Sequence, residues 1–237
     1  MNVRRSIVFM VLFAALSFAV PLFGQYPAEW TTPFPAFRIA GNLYYVGSED
    51  LASYLIATPQ GLILINSDLE SSVPLIQKSV ESLGFRFNDI KILLISHAHY
   101  DHTAGSAEIV KRTGAKYYMM DGDVPVVESG GKADFQYGAD PSKLYPPVHV
   151  DRVLHDDDTV SLGATVLTAR LTAGHTKGTT TWTMDESEDG RVLHVVIVGS
   201  PNVNPGYKLV GNSAYPQVAA DYKHEFELLP TLPCDLF

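Results

Sequence analysis

An apolar, β-branched run, Ile90-Lys91-Ile92-Leu93-Leu94-Ile95, leads almost directly into His97-Ala98-His99-Tyr100-Asp101-His102. The run has the make-up of a buried strand. The C-terminal end of such a strand is where open α/β sheets gather their chemistry. In an extended backbone the imidazoles of His97 and His99, two positions apart, point the same way. Asp101 and His102 follow as the chain turns into a helix, and they face a second point nearby. Neutral imidazoles with a carboxylate and no thiolate suit zinc or another borderline divalent cation. Without a cation, three imidazoles this close would repel one another when protonated, so a metal accounts for the cluster better than chance does.

A second segment, Leu171-Thr172-Ala173-Gly174-His175-Thr176-Lys177-Gly178-Thr179-Thr180-Thr181-Trp182, sets one histidine on a glycine-bounded turn between two strand-like runs. A single histidine in a turn is ordinarily a solvated residue, and composition alone assigns it nothing more. The remaining histidines, His149, His155, His194 and His224, have no comparable setting and read as surface or structural residues.

The stretch from Ser96 to Gly105, Ser-His-Ala-His-Tyr-Asp-His-Thr-Ala-Gly, resembles the signature of the metallo-β-lactamase superfamily. The resemblance covers nearly the whole chain from about Phe37 onward. It implies an α/β (α+β) fold, a four-layer αβ/βα sandwich with one or two metal ions at the edge between two sheets. It also implies that His175 is the third ligand of the first metal. His97, His99 and His175 would then form a three-histidine site with an open fourth position, as catalytic zinc sites have.

The motif does not name the substrate, because the superfamily includes β-lactamases, thioesterases, lactonases and nucleases. The strand Val195-Val196-Ile197-Val198 ends in Gly199-Ser200, where other members carry a bridging Asp or a ligating Cys. Serine there, beside an intact His-x-His-x-Asp-His, resembles subclass B3 metallo-β-lactamases. That likeness implies a second zinc held by Asp101, His102 and a late histidine. It places Ser200 and Asn202 beside a metal water or the substrate carboxylate. The implied activity is opening of the β-lactam ring of antibiotics by metal-activated water, with Asp101 as the catalytic carboxylate. The partner is a small-molecule β-lactam, the host is protected against antibiotics, and a monomer is expected. A lactonase or thioesterase on the same scaffold is the alternative, or an inactive metal-binding fragment. No Ser-x-x-Lys or Gly-x-Ser-x-Gly motif offers a serine nucleophile instead.

The ends of the chain carry their own expectations. Residues 1–24, with Arg4 and Arg5 before a short apolar stretch, follow the pattern of a secretory signal peptide, which implies export to a bacterial periplasm or exterior. No stable membrane association is expected once it is removed, and residues 25–237 form one domain. Cys234 is the only cysteine, an odd one in an exported chain. It lies where a strand starts that, in the resembled enzymes, leads to the late histidine and a closing helix. The domain is therefore expected to be incomplete at its C-terminus, with its last strand and helix missing and its second metal site short of a ligand. With 46% hydrophobic and 18% charged residues, the chain can bury one substantial core. A net charge of −9 and the lack of a basic patch argue against a nucleic-acid partner.

Periodicity predicts paired strands over 37–47 and 52–58, a further strand over 62–66, and a helix over 72–83 ending at Gly84. A helix over 103–113, a strand over 115–120 and a short helix over 123–129 follow. Residues 132–148 read as a loop near the site mouth. Strands over 150–154, 159–160, 165–171, 179–184 and 192–198 are expected to complete the second sheet. A last helix over 215–229 should place Tyr222, Phe226 and Leu229 on one face.

Overall fold

The computed structural model describes residues 26–237; the expected signal segment lies outside them. Among the described residues, eleven strands make two sheets. The first sheet begins as an antiparallel meander of β1 (Phe37–Ala40), β2 (Leu43–Tyr45), β3 (Tyr54–Thr58) and β4 (Gly61–Ile65). It continues in parallel through β5 (Ile90–Leu94), β6 (Lys116–Met120) and β7 (Arg152–Leu154). The second sheet is antiparallel, in the order β11 (Arg191–Ile197), β10 (Thr180–Glu188), β9 (Thr165–Leu171), β8 (Thr159–Leu162).

The parallel half needs crossovers, and three helices supply them on the outer face: α1 (Val73–Ser82), α3 (Ser106–Thr113) and α4 (Val124–Glu128). Their apolar sides and that face of the sheet share one cluster, with Ile76, Val80, Leu93, Ile109 and Val127 fully buried. The inner faces of the two sheets close on a second cluster that includes Ile63, Ile92, Leu94, Leu167, Trp182 and Ile197. Strand β5 is buried on both faces except at Lys91, which is why its sequence is a continuous apolar run. Helix α5 (Val218–Leu228) packs at the end of the second sheet, where Tyr222 meets the turn at Gly174. The result is the expected mixed α/β sandwich.

Four expectations need correction. The run over 37–47 is two strands, because Gly41, at φ +49°, lets the chain reverse between β1 and β2. The strand near residue 150 belongs to the first sheet: Tyr118 pairs in parallel with Arg152, and the Asp151 carboxylate holds the Tyr117 amide and the Lys116 ammonium. The helix over 103–113 is broken into α2 (Tyr100–Thr103) and α3, because the Gly105 amide is drawn to the Asp68 carbonyl at 3.1 Å. In α5 the buried side is Val218, Tyr222 and Glu225, while Phe226 stays 52% exposed.

Residues beyond the last helix return along the second sheet. Leu236 forms a parallel bridge with Val195, and its carbonyl accepts the Val196 amide at 2.8 Å. Cys234 nearby is exposed and unpaired. Among the described residues, no helix is long and apolar enough to cross a membrane.

Candidate metal centre

The site lies past the C-terminal ends of β5 and β6. The Ser96 amide donates to the Asn66 side chain at 2.9 Å, which ties the exit of β5 to the end of β4. His97 and His99 leave this point, His99 in extended backbone, and bring their ring centroids to 4.9 Å. His175 arrives from the turn between β9 and β10, with its ring 4.6 Å from that of His97 and 4.7 Å from that of His99. Gly174 is at φ +147°, and a Cβ there would lie 2.8 Å from the Tyr222 ring, so only glycine allows the turn to dock on α5. One ligand atom from each of His97, His99 and His175 falls within 4.8 Å of the others. His97, Asp101 and His102 form a second such group. The six-residue motif and the distant His175 thus meet around two adjacent points, and His97 is shared between the groups.

The donor set fits a divalent cation. The His175 Nδ1 stands 2.7 Å from the Asn202 carbonyl, an oxygen that can only accept. That nitrogen therefore carries the proton, and Nε2 keeps its lone pair. The Nε2 atom faces Nδ1 of His99 at 3.0 Å. Both ring nitrogens of buried His97 and Nδ1 of His102 have no hydrogen-bond partner. Buried polar atoms left without partners are costly, and a bound ion would satisfy one lone-pair nitrogen of each such ring. Burial depresses the basicity of His97 well below the ordinary histidine range, and the imidazoles of His102, His175 and His99 lower it further. Burial, then His99, brings His175 down to about 4 against the pull of the Asn202 carbonyl. Burial likewise lowers His102, against Asp101. Neutral imidazoles at neutral pH are what metal ligation requires.

The cluster opens on a cavity of about 440 Å³ lined by Trp30, Tyr100, Tyr137, Lys143, Ser200 and Asn204 around the ligands. Asp101 is the one carboxylate on its wall. Ser200 and Asn202 border it as well; the Asn202 side chain is exposed, while its carbonyl holds His175 and the Tyr222 hydroxyl. The segment preceding β1 contributes Trp30, which sits 6.1 Å from Tyr100 with Tyr26 stacked on both.

Two carboxylates that the motif does not contain stand behind the ligands. Asp123, fully buried after β6, accepts the Ala98 amide, the Thr176 hydroxyl and the Gly178 amide. Burial pushes its pKa up to about 6 against those three bonds. Asp134, in the loop after α4, brings Oδ2 to 3.5 Å from Nε2 of His99. Neither had a signal in the sequence beyond being an aspartate between elements. Tyr207 closes the cluster, donating its hydroxyl to the His175 carbonyl at 2.8 Å. His149, His155 and His194 are exposed and pair with Glu128, Asp121 and Asp185, away from the site.

A fold of two sheets with a histidine-rich centre past the parallel strands defines a class. Residues 51–195 match the family model for the metallo-beta-lactamase superfamily, and the chain belongs to that superfamily. Among solved structures it is similar to the native FEZ-1 metallo-beta-lactamase from Legionella gormanii, at 59% identity over 90% of this chain and 80% of that one, with a TM-score of 0.88. It is also similar to the metallo-beta-lactamase GOB-18 from Elizabethkingia meningoseptica, at 40% identity over 90% of this chain and 79% of that one, with a TM-score of 0.86. The class B3 di-zinc metallo-beta-lactamase LRA-12 from an Alaskan soil metagenome is 40% identical over 88% of this chain and 78% of that one, with a TM-score of 0.84. A probable metallo-hydrolase of Burkholderia pseudomallei (strain 1710b) is 31% identical over 108 residues, 46% of this chain and 35% of that relative. The chain spans about a third of that curated relative's length.

Proposed function

We propose that this chain is a zinc-dependent β-lactamase of the B3 type, which hydrolyses the ring amide of β-lactam antibiotics and so protects its host. The observation that carries the reading is the pair of ligand groups, His97-His99-His175 and His97-Asp101-His102, opening on one cavity with Ser200 at the strand end. Its likeness to the B3 enzyme LRA-12 and to FEZ-1 supports the subclass. Two zinc ions are the proposed cofactors: bound zinc polarises a carbonyl and lowers the pKa of a coordinated water to about 7.

The chain's own residues do the rest. His97, His99 and His175 would hold the first ion, and Asp101 and His102 the second. Asp101, alone among the lining residues in being a carboxylate, orients the attacking water and passes its proton toward the departing ring nitrogen. The hydroxyl of Ser200 and the side chain of Asn202 receive the carboxylate that β-lactams carry. Trp30 and Tyr100 offer an apolar wall to the acyl substituent. The proposed working form is an exported monomer.

Steady-state assays of the zinc-loaded protein on penicillins, cephalosporins and carbapenems, beside lactones and thioesters, test this reading. Turnover of β-lactams is expected. Hydrolysis of a lactone or thioester with none of any β-lactam would reject it.

A further inference from the structure

We infer that Asp134 is a positioning residue for the metal centre, because its carboxylate selects the His99 tautomer that leaves Nδ1 free to ligate. The inference rests on the metal centre and not on which substrate is turned over there.

A neutral imidazole has one N–H and one lone pair. His175 must carry its proton on Nδ1, opposite the Asn202 carbonyl, so its Nε2 is an acceptor. His99 then has two choices. With its proton on Nδ1 it would donate across 3.0 Å to His175 Nε2, closing the centre with a histidine–histidine hydrogen bond. Its Nε2 lone pair would then face the Asp134 carboxylate, acceptor against anion. With its proton on Nε2 it faces Asp134 Oδ2 at 3.5 Å and the Tyr207 oxygen at 3.4 Å. The Tyr207 proton already goes to the His175 carbonyl, so that oxygen can accept. In this second form two lone pairs meet at 3.0 Å, an arrangement that only a cation relieves.

The carboxylate has little freedom to avoid this role. Its side chain is 4% exposed. Oδ1 is held by the amides of Gln136 at 2.8 Å and Tyr137 at 2.6 Å, while buried Oδ2 makes no hydrogen bond and has the His99 ring 3.5 Å away. The loop itself is pinned by Phe135, whose ring lies 5.2 Å from Tyr207 and 5.0 Å from Tyr215. The Tyr137 hydroxyl accepts from Asn204 at 3.1 Å. A second carboxylate orienting a ligating imidazole through its far nitrogen is a general device for metal sites.

The test uses Asp134→Asn in the full chain. Asparagine keeps an oxygen for the Gln136 and Tyr137 amides, so the loop is retained, but it turns an NH2 toward His99 Nε2. Zinc affinity, measured by competition with a chromophoric chelator, should fall by about 10- to 100-fold. Nitrogen-15 spectra of the metal-free protein should show His99 protonated on Nε2 in the wild type and on Nδ1 in the variant. Unchanged zinc affinity in a folded Asp134→Asn protein, or a wild-type His99 protonated on Nδ1, overturns the inference. Should the variant not fold, the wild-type spectrum decides alone. A protein that opened no β-lactam would leave both measurements intact.

Discussion

Asp123 holds Ala98 by its backbone: one carboxylate oxygen accepts the Ala98 amide at 2.9 Å, at the residue between His97 and His99. The same oxygen accepts the Thr176 hydroxyl at 2.7 Å, next to His175, and the other accepts the Gly178 amide at 2.9 Å. One side chain thus sets the spacing between the two segments that carry the three histidines. Asp123→Ala should strand two buried amides and a hydroxyl and destabilise the fold by about 2–4 kcal/mol. For a domain of this size that is a drop in Tm of roughly 5–15 °C. Calorimetry and zinc titration of the variant check it; a wild-type Tm with full zinc affinity would refute the staple.

Asp101 and Ser200 line the same cavity, and the proposed function gives them different tasks. Asp101→Asn should lower turnover by about 10²–10⁴-fold, the range for loss of a proton-transfer group, while keeping the zinc held by the three histidines. Ser200→Ala removes no ligand and should change kcat/KM by less than about 10-fold, one hydrogen bond's worth. Paired kinetics and zinc counts on the two variants separate the roles. The reverse order of effects would contradict the assignment.

His97→Ala and His175→Ala should each lose the zinc proposed for the three-histidine group, which needs both side chains. A chelator in excess should silence the wild type, with recovery on adding zinc. Binding only to the folded state also raises Tm, by about 4 kcal/mol of stabilisation at a thousandfold excess over Kd. Metal analysis and thermal melts with and without zinc give the readout.

Glu225 is buried on α5 with neither oxygen partnered, and burial pushes its pKa up to about 8 from an ordinary 4.5. The folded state therefore keeps a proton that the unfolded chain releases. Its contribution is fully present below about 4.5 and fades as pH rises through about 8. Glu225→Gln carries no such charge. The Tm difference, variant minus wild type, should be small near pH 5 and grow steadily toward pH 8.5. A difference that does not change with pH would show that the carboxyl is not buried as described.

The fold was legible where local pattern and tertiary role coincide. The β5 run read correctly because a strand buried on both faces shows as a continuous apolar stretch. The strand after residue 150 was misassigned because its sheet is chosen by pairing with β6, a choice that no local signal in three residues can hold. The break between α2 and α3 was hidden for a similar reason, since the carbonyl that draws away the Gly105 amide belongs to Asp68, in another part of the chain. Phe226 was placed inward by helical spacing, yet the surface α5 meets turns Glu225 there instead.

By itself the sequence determined which atoms are available for chemistry: three imidazoles and a carboxylate within six positions, and one more histidine on a glycine-bounded turn. Short spacing on a stiff backbone already constrains direction, so those groups could be read from the chain. Only the tertiary structure decided that Asp123 and Asp134 stand behind them, one spacing the ligand segments and the other facing His99. Those contacts join residues far apart in sequence, where direction depends on packing and not on periodicity. A ring nitrogen's readiness to bind a metal depends on what faces the opposite edge of the ring, and that is known only once the chain has closed around it.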